Sequence, residues 1–228
     1  MAEAPVLTID GPSGSGKGTV AAKVAQVLGW HILDSGALYR LVGLAAQKAG
    51  MDLSDSAAIA EMARTLPVKF VDRKVFLDGE DVSLAIRTET AGNNASKVAA
   101  IPEVRAALLG WQRDYARPPG LVADGRDMGT VVFPHAGVKI FLDASADERA
   151  RRRYKQLKDK GIDVKLSGLI AEIEERDHRD RNRSVAPLLP AEDAQVIDST
   201  RLDVDTVVDR VLQAVYEAYP ETGCKSSI

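Results

Sequence analysis

Residues 11–19 read Gly11-Pro12-Ser13-Gly14-Ser15-Gly16-Lys17-Gly18-Thr19. A glycine, four residues, a second glycine and a lysine are spaced as in a loop that wraps phosphate oxygens with backbone N–H groups. Glycine permits the tight curl. The N-terminus of a following helix adds partial positive charge. Lys17 supplies a mobile ammonium that can follow the β- and γ-phosphates during transfer. At about 4 Å and an effective dielectric near 20, one such charge pair contributes on the order of 4 kcal/mol before desolvation. Gly18 stands after the lysine, where the general loop carries Ser or Thr, and Thr19 follows one residue later. The hydroxyl that usually holds Mg²⁺ is therefore missing from its place. The expected Mg²⁺ has no direct protein ligand on this reading. It is held mainly by nucleotide phosphates and waters, with Asp124 reached through water.

A second group of residues suits a second anion. Arg40, Arg105, Arg126, Arg176 and Arg183 stand where they could converge. In the run Glu175-Arg176-Asp177-His178-Arg179-Asp180-Arg181-Asn182-Arg183, a helix would put Arg176, Asp180 and Arg183 on one face, spaced 4 and 3. Two guanidiniums flanking a carboxylate can bind phosphate and hydrogen-bond a sugar hydroxyl. Spacing alone favours the plainer reading, a solvated helix face with internal ion pairs. No guanine-reading Asn-Lys-x-Asp run is present. A kinase for another small acceptor, such as UMP or shikimate, and a non-catalytic nucleotide-binding switch both remain open at this point.

These residues need elements to hold them. Val6–Ile9 is a buried-strand run ending at Asp10-Gly11, and a helical period begins at Lys17 and stops at Gly29. His31–Leu33, Leu121–Ala123, Val138–Leu142 and Gln195–Asp198 read as four more core strands. Helical periods lie between them, including a short one from Ser54 or Asp55 to 65, others over 102–115, 145–159 and 166–181, and a final stripe from Val204 to Val215. Leu166, Leu169, Ile170 and Ile173 form the buried stripe of one charged helix. The expected fold class is α/β: a five-stranded parallel sheet covered by helices on both faces. Ligands of such sheets bind beyond the C-terminal strand ends, where Gly11–Thr19, Asp34–Arg40 and Asp124–Met128 fall. Around residues 66–90 the texture changes. Val68–Val71 and Val75–Leu77 alternate at period two about an Asp72-Arg73-Lys74 turn, which reads as an antiparallel insert.

Composition narrows the class. The chain has 228 residues, 45% apolar and 28% charged, with a formal net charge of −3. These are globular proportions, which exclude collagen-like, disordered and disulfide-scaffold chains. A weakly acidic total argues against a general nucleic-acid coat protein. The lone cysteine, Cys224, cannot form an internal disulfide and suits a reducing, cytoplasmic setting. The start Met-Ala-Glu-Ala-Pro lacks the features of a signal peptide, and no apolar run approaches the roughly 20 residues needed to cross a bilayer. His31, His135 and His178 have no partners at metal-ligand spacing, and Trp30, Trp111 and Tyr115 read as packing residues.

The loop with its Gly18-Thr19 ending resembles that of the nucleoside monophosphate kinases, and most closely of bacterial cytidylate kinases. Leu33-Asp34-Ser35-Gly36-Ala37-Leu38-Tyr39-Arg40, Ala123–Pro134 with its Asp124-Gly125-Arg126-Asp127-Met128-Gly129 start, and Arg176–Arg183 resemble the cytidylate signatures, in order over nearly the whole chain. The resemblance implies ATP-dependent phosphorylation of CMP and dCMP, as part of pyrimidine metabolism. Ser96, Arg105 and Asp127 would read the cytosine, with Ser35 nearby. Arg176 and Asp180 would hold the sugar, and Arg40, Arg126 and Arg183 the monophosphate. Lys17, with Arg152 or Arg153 from a lid near 147–165, would neutralise charge in transfer. The implied organisation is a single kinase unit. Its core takes about 1–36, 116–146 and 184–228, and its monophosphate-binding insert about 37–115. A monomer with small-molecule partners, no nucleic acid and no membrane is expected.

Overall fold

The computed structural model describes residues 4–71, 74–159 and 161–225, with side chains through Thr222. Asp72 and Arg73 of the expected hairpin turn lie outside the described residues, as does the Cys224 side chain. The chain divides into two compact units, Met1–Leu33 with Asp114–Ile228, and Asp34–Arg113.

The first unit is built on β1 (Val6–Asp10), whose five residues are all buried. Its run Val-Leu-Thr-Ile suits a strand covered on both faces. α1 (Lys17–Leu28) follows, and Gly29 ends it in the left-handed region, its N–H bonding the Ala25 carbonyl. β2 is His31–Asp34. α2 (Ser35–Lys48) begins directly after it, because the Asp34 side chain caps the helix by accepting the Ala37 N–H.

The second unit then continues with α3 (Ser56–Arg64), capped by Asp55. Next come β3 (Val68–Val71), β4 (Lys74–Leu77) and β5 (Glu80–Asp81), which form a three-stranded antiparallel sheet. The expected change of texture is therefore a real change of sheet type. α4 (Glu89–Val98) and α5 (Pro102–Arg113) close the unit. α4 is an element the periodicity did not reveal: Gly92-Asn93-Asn94 interrupts its apolar face, although Thr88 caps it by accepting the Ala91 N–H. α2 packs on α4 and α3 on α5. Leu41, Val75, Leu77, Val82 and Ile86 form the core beneath the small sheet.

The first unit resumes with β6 (Leu121–Gly125), a π-type turn over Met128–Val132, and β7 (Val138–Asp143). α6 (Ala146–Asp159), α7 (Leu166–Asn182), β8 (Gln195–Asp198) and α8 (Val204–Ala218) complete it. The large sheet has the order β2-β6-β1-β7-β8. β1 runs parallel to β6 and β7, with Asp10 opposite Gly125 on one side and Phe141 on the other. β7 runs parallel to β8. Val20 and Val24 of α1 and Val207, Val211 and Val215 of α8 pack in one core with Leu7, Ile9, Ile140 and Leu142.

Trp30 sits in that core, edge-on to Tyr219 with ring centroids 5.8 Å apart. A side chain at Gly120 would place its Cβ 2.4 Å from the Trp30 ring, closer than atoms can approach. Neither the indole nor the strand behind it can give way easily. Gly120→Ala is expected to lower the unfolding free energy by about 1–3 kcal/mol, as overpacking does. Urea denaturation with an unchanged slope would measure it; a midpoint equal to that of the parent would refute this packing.

Candidate active site

The loop after β1 is shaped by contacts that only glycine allows at two points. Gly11 has φ +149°, and a Cβ there would lie 2.0 Å from the Leu142 carbonyl oxygen of β7. Gly16 has φ +96° and caps α1. Lys17, the first residue of α1, is buried. Its Nζ donates to the Pro12 carbonyl oxygen at 2.9 Å and lies 4.0 Å from Asp124. Burial pushes this ammonium down to about 7. The guanidiniums of Arg126 and Arg176 push the same way, and the carboxylates of Asp124 and Asp10 oppose them. A Cβ at Gly18 would stand 3.3 Å from an Asp124 carboxylate oxygen. A side chain at this position would therefore press on a carboxylate of the neighbouring strand.

The loop is also held from outside. Arg149 of α6 is 2% exposed. Its Nε donates to the Ala144 carbonyl at 2.8 Å, and one terminal nitrogen donates to the Ser13 carbonyl of the loop at 2.9 Å. The guanidinium also pairs with both oxygens of Asp177 in α7, at 3.1 and 2.5 Å. Arg152, one turn on, donates to the Ser15 carbonyl at 3.2 Å and to the Ser199 carbonyl at 2.6 Å. Arg153 is half-buried and donates to Gln156 at 3.2 Å. Arg152, one of the two arginines expected to face the transferring group, is thus tied to the loop.

Beyond β6, the same unit gathers five more of the expected residues. Arg126 donates from Nε to Asp180 at 3.2 Å. Arg183 lies 3.8 Å from Asp127, and both side chains are almost wholly buried. Arg176 is half-buried and near enough to bear on Lys17. α7 stops at Asn182, and Arg183 is the residue that ends it, with φ −66° and ψ 141°, so the backbone leaves the helical path only after the Arg183 Cα. The Asn182 amide bonds back to the His178 carbonyl at 2.8 Å, and the chain then folds over so that Leu188 N–H reaches the Asp180 carbonyl at 2.9 Å. Arg183 is aimed by its own loop, through a hydrogen bond from Nε to the Ala186 carbonyl.

The Asp34–Arg113 unit carries the other expected residues. Ser35 opens α2, and Ser96 lies on α4; both are buried. Arg105 of α5 is buried, with its guanidinium 5.7 Å from the centre of the Tyr39 ring and a hydrogen bond to the Ala99 carbonyl at 3.3 Å. Arg40 donates to the Ile86 carbonyl at 3.0 Å.

Four residues escaped the sequence reading: Asp10, Arg149, Asp177 and Ser199. Arg149 adjoins the apolar stripe Ala150–Tyr154–Leu157, and Asp177 prolongs Leu169–Ile173 at helical spacing. A charge on an apolar face was the available signal for both. Asp10 ends a strand with no other charge, and its carboxylate accepts the Met128 and Gly129 N–H groups, each at 2.8 Å. Burial lifts this carboxyl to about 7, aided by Asp127 and Asp124, although both N–H groups favour the charged form. Among the described residues, no helix is long and apolar enough to cross a membrane, and no group of three or more His, Cys, Asp or Glu could hold a metal.

Comparison with known proteins shows the family. The cytidylate kinase family model matches residues 7–217. The cytidylate kinase of Aeromonas hydrophila is 62% identical over 213 residues, covering 92% of this chain and 93% of that one. That of Vibrio cholerae is 59% identical over 215 residues, covering 92% and 96%. Among solved structures, a gluconokinase from Sinorhizobium meliloti shares the fold with a TM-score of 0.50 at 14% identity, over the whole of both chains. A phosphate loop, a buried lysine at its helix and a family match over nearly the full length lead to one assignment: the chain belongs to the cytidylate kinase family.

Proposed function

We infer that this protein transfers the γ-phosphoryl group of ATP to CMP and dCMP, releasing ADP with CDP or dCDP. The observation that carries the reading is Lys17, buried at the head of α1 between the loop and Asp124, in a chain that a cytidylate kinase relative matches over 92% of its length. The bond from the γ-phosphorus to the bridging oxygen breaks as a CMP phosphate oxygen attacks in line. The acceptor is already an anion, so no strong general base is needed. Catalysis is positioning plus charge stabilisation.

The loop residues Gly11 to Thr19 bind the donor phosphates through backbone N–H groups, and Lys17 follows the moving charge. Arg152 and Arg153 add positive charge from a lid over about 147–165. The ties of Arg152 to Ser15 and Ser199 support its place beside the loop. Ser35, Ser96, Arg105 and Asp127 read the cytosine. Asp127 accepts from the exocyclic amine, and Arg105 donates to the ring carbonyl and nitrogen. Uracil lacks that amine and offers an N–H in place of the acceptor, so it leaves buried polar groups without partners. The burial of Arg105 and Asp127 supports this role. Arg176 and Asp180 hold the sugar, and Arg40, Arg126 and Arg183 the monophosphate. Residues 37–115 are the monophosphate-binding part. Water exclusion by this part and the lid limits ATP hydrolysis.

Mg²⁺ fits the donor set as a phosphate-bound ion. Asp124 is the one carboxylate beside Lys17 that also lies against position 18, so it would hold the ion through water. When bound, the ion offsets negative charge on the donor phosphates. A monomer in the cytoplasm, acting on small molecules and not on nucleic acid, completes the reading.

An assay of ADP release across CMP, dCMP, UMP and AMP tests the acceptor. CMP and dCMP are expected to turn over fastest; faster turnover of UMP or AMP would refute the cytosine contacts. Asp127→Ala should narrow the CMP to UMP preference by about tenfold or more while leaving the KM for ATP within about threefold, one lost charge-assisted hydrogen bond being worth that much. Lys17 gives a proton signature. With its ammonium near 7, it is partly neutral at pH 7.5, and donor phosphates raise it again. ATP binding at pH 7.5 should therefore take up a fraction of a proton in calorimetry across buffers of different ionisation enthalpy. Lys17→Met should remove that uptake and lower kcat by several orders of magnitude, on the order of what loss of a transition-state charge contact costs. Equal uptake in both proteins would refute it.

A further inference from the structure

The turn after Asp127 is unusual. The Asp127 carbonyl accepts N–H groups from both Val131 and Val132, at 2.9 and 3.2 Å, and the Met128 carbonyl accepts from Phe133 at 2.7 Å. This wide π-type winding over Met128–Val132 is rare and is often found at functional sites. Its leading N–H groups have no partner within the turn. Asp10 supplies one, with Oδ1 on Met128 and Oδ2 on Gly129. The same turn is pressed from the other side: a Cβ on Gly129 would lie 2.9 Å from the Thr8 hydroxyl and 3.2 Å from the Lys139 side chain. The turn is thus located by β1 and β7, with Asp10 holding its leading N–H groups.

We propose that Asp10 is a positioning residue for the acceptor nucleotide: its carboxylate, by holding the Met128 and Gly129 N–H groups, fixes the turn that starts at Asp127. The inference rests on the reading of Asp127 as a cytosine contact. Two oxygens are needed because two adjacent N–H groups are held, which is a carboxylate's capacity and not an amide's. A carboxylate only 5% exposed is costly to bury, and an apolar residue would fill the space more cheaply. The charge is explained if the position of the turn matters to binding. Asp10 also precedes Gly11 directly, so the strand end that launches the donor loop sets the base-reading turn as well.

Asp10→Asn in the full chain tests this, with Gly129→Ala as a second variant that displaces the same turn without touching the carboxylate. Asparagine can accept one N–H but turns an amide N–H toward the other. KM for CMP is expected to rise about tenfold or more, with KM for ATP within about threefold. The CMP to UMP preference should narrow, and the thermal midpoint should hold, because a buried charge is removed. The double variant Asp10→Asn, Asp127→Ala should discriminate bases no worse than Asp127→Ala alone, since one residue acts through the other. An unchanged KM for CMP, or parallel rises in both KM values with a falling midpoint, would overturn the proposal. So would losses of discrimination that simply add. If Asp10→Asn does not fold, Gly129→Ala decides, and a variant without a CMP-selective rise overturns it. If Asp127→Ala alone leaves base preference intact, the cytosine contact falls, and the CMP-selective KM still decides the case for Asp10.

Discussion

Four hydrogen bonds hold the Arg149 guanidinium in the interior, and they join segments more than 160 residues apart at their extremes. A buried guanidinium is expensive to desolvate. Asp177 neutralises it with both oxygens, and the carbonyls of Ala144 and Ser13 accept two further N–H groups. The result is that the loop, the start of α6 and the middle of α7 share one anchor. The curl of residues 11–16 depends on glycine for its permission and on Arg149 for its permanence. Arg152 repeats the arrangement one turn later through Ser15 and Ser199.

Charge around the loop alternates in sign. Lys17, Arg126 and Arg176 stand among Asp10, Asp124, Asp127 and Asp180. The net charge of −3 reflects none of this, because it counts charges and ignores their places. The cations lower the ammonium of Lys17 and the carboxylates keep their sum in check. An anionic ligand entering such a set meets cations already placed and pre-organised.

Much of this was legible in the chain. The five core strands could be read because buried strands are short apolar runs closed by polar turns, as in Val6–Ile9 before Asp10-Gly11. The antiparallel insert showed itself by its period of two. The loop was legible because its function demands glycines and a lysine at fixed intervals. What could not be read was whatever depends on two distant segments meeting. Arg149 and Asp177 are 28 residues apart, and neither carries a motif for the other. The turn past Arg183 could not be read either, because it rests on the Leu188 N–H reaching back to the Asp180 carbonyl and on the Arg183 bond to the Ala186 carbonyl. α4 stayed hidden because its glycine and asparagines obscure the stripe that packs on α2.

Gly18 can now be seen as one half of a pair. The carboxylate of Asp124 lies 3.3 Å from where a Cβ at position 18 would stand, so a change at one position bears on the other. Giving the loop the serine or threonine of the general pattern would require the Asp124 carboxylate to shift by a few tenths of an ångström. A search demanding a hydroxyl after the lysine would pass over this loop, while one asking for either that hydroxyl or a small residue facing an acidic strand end would find it. The smallest residue in the loop is thus a record of what lies across from it.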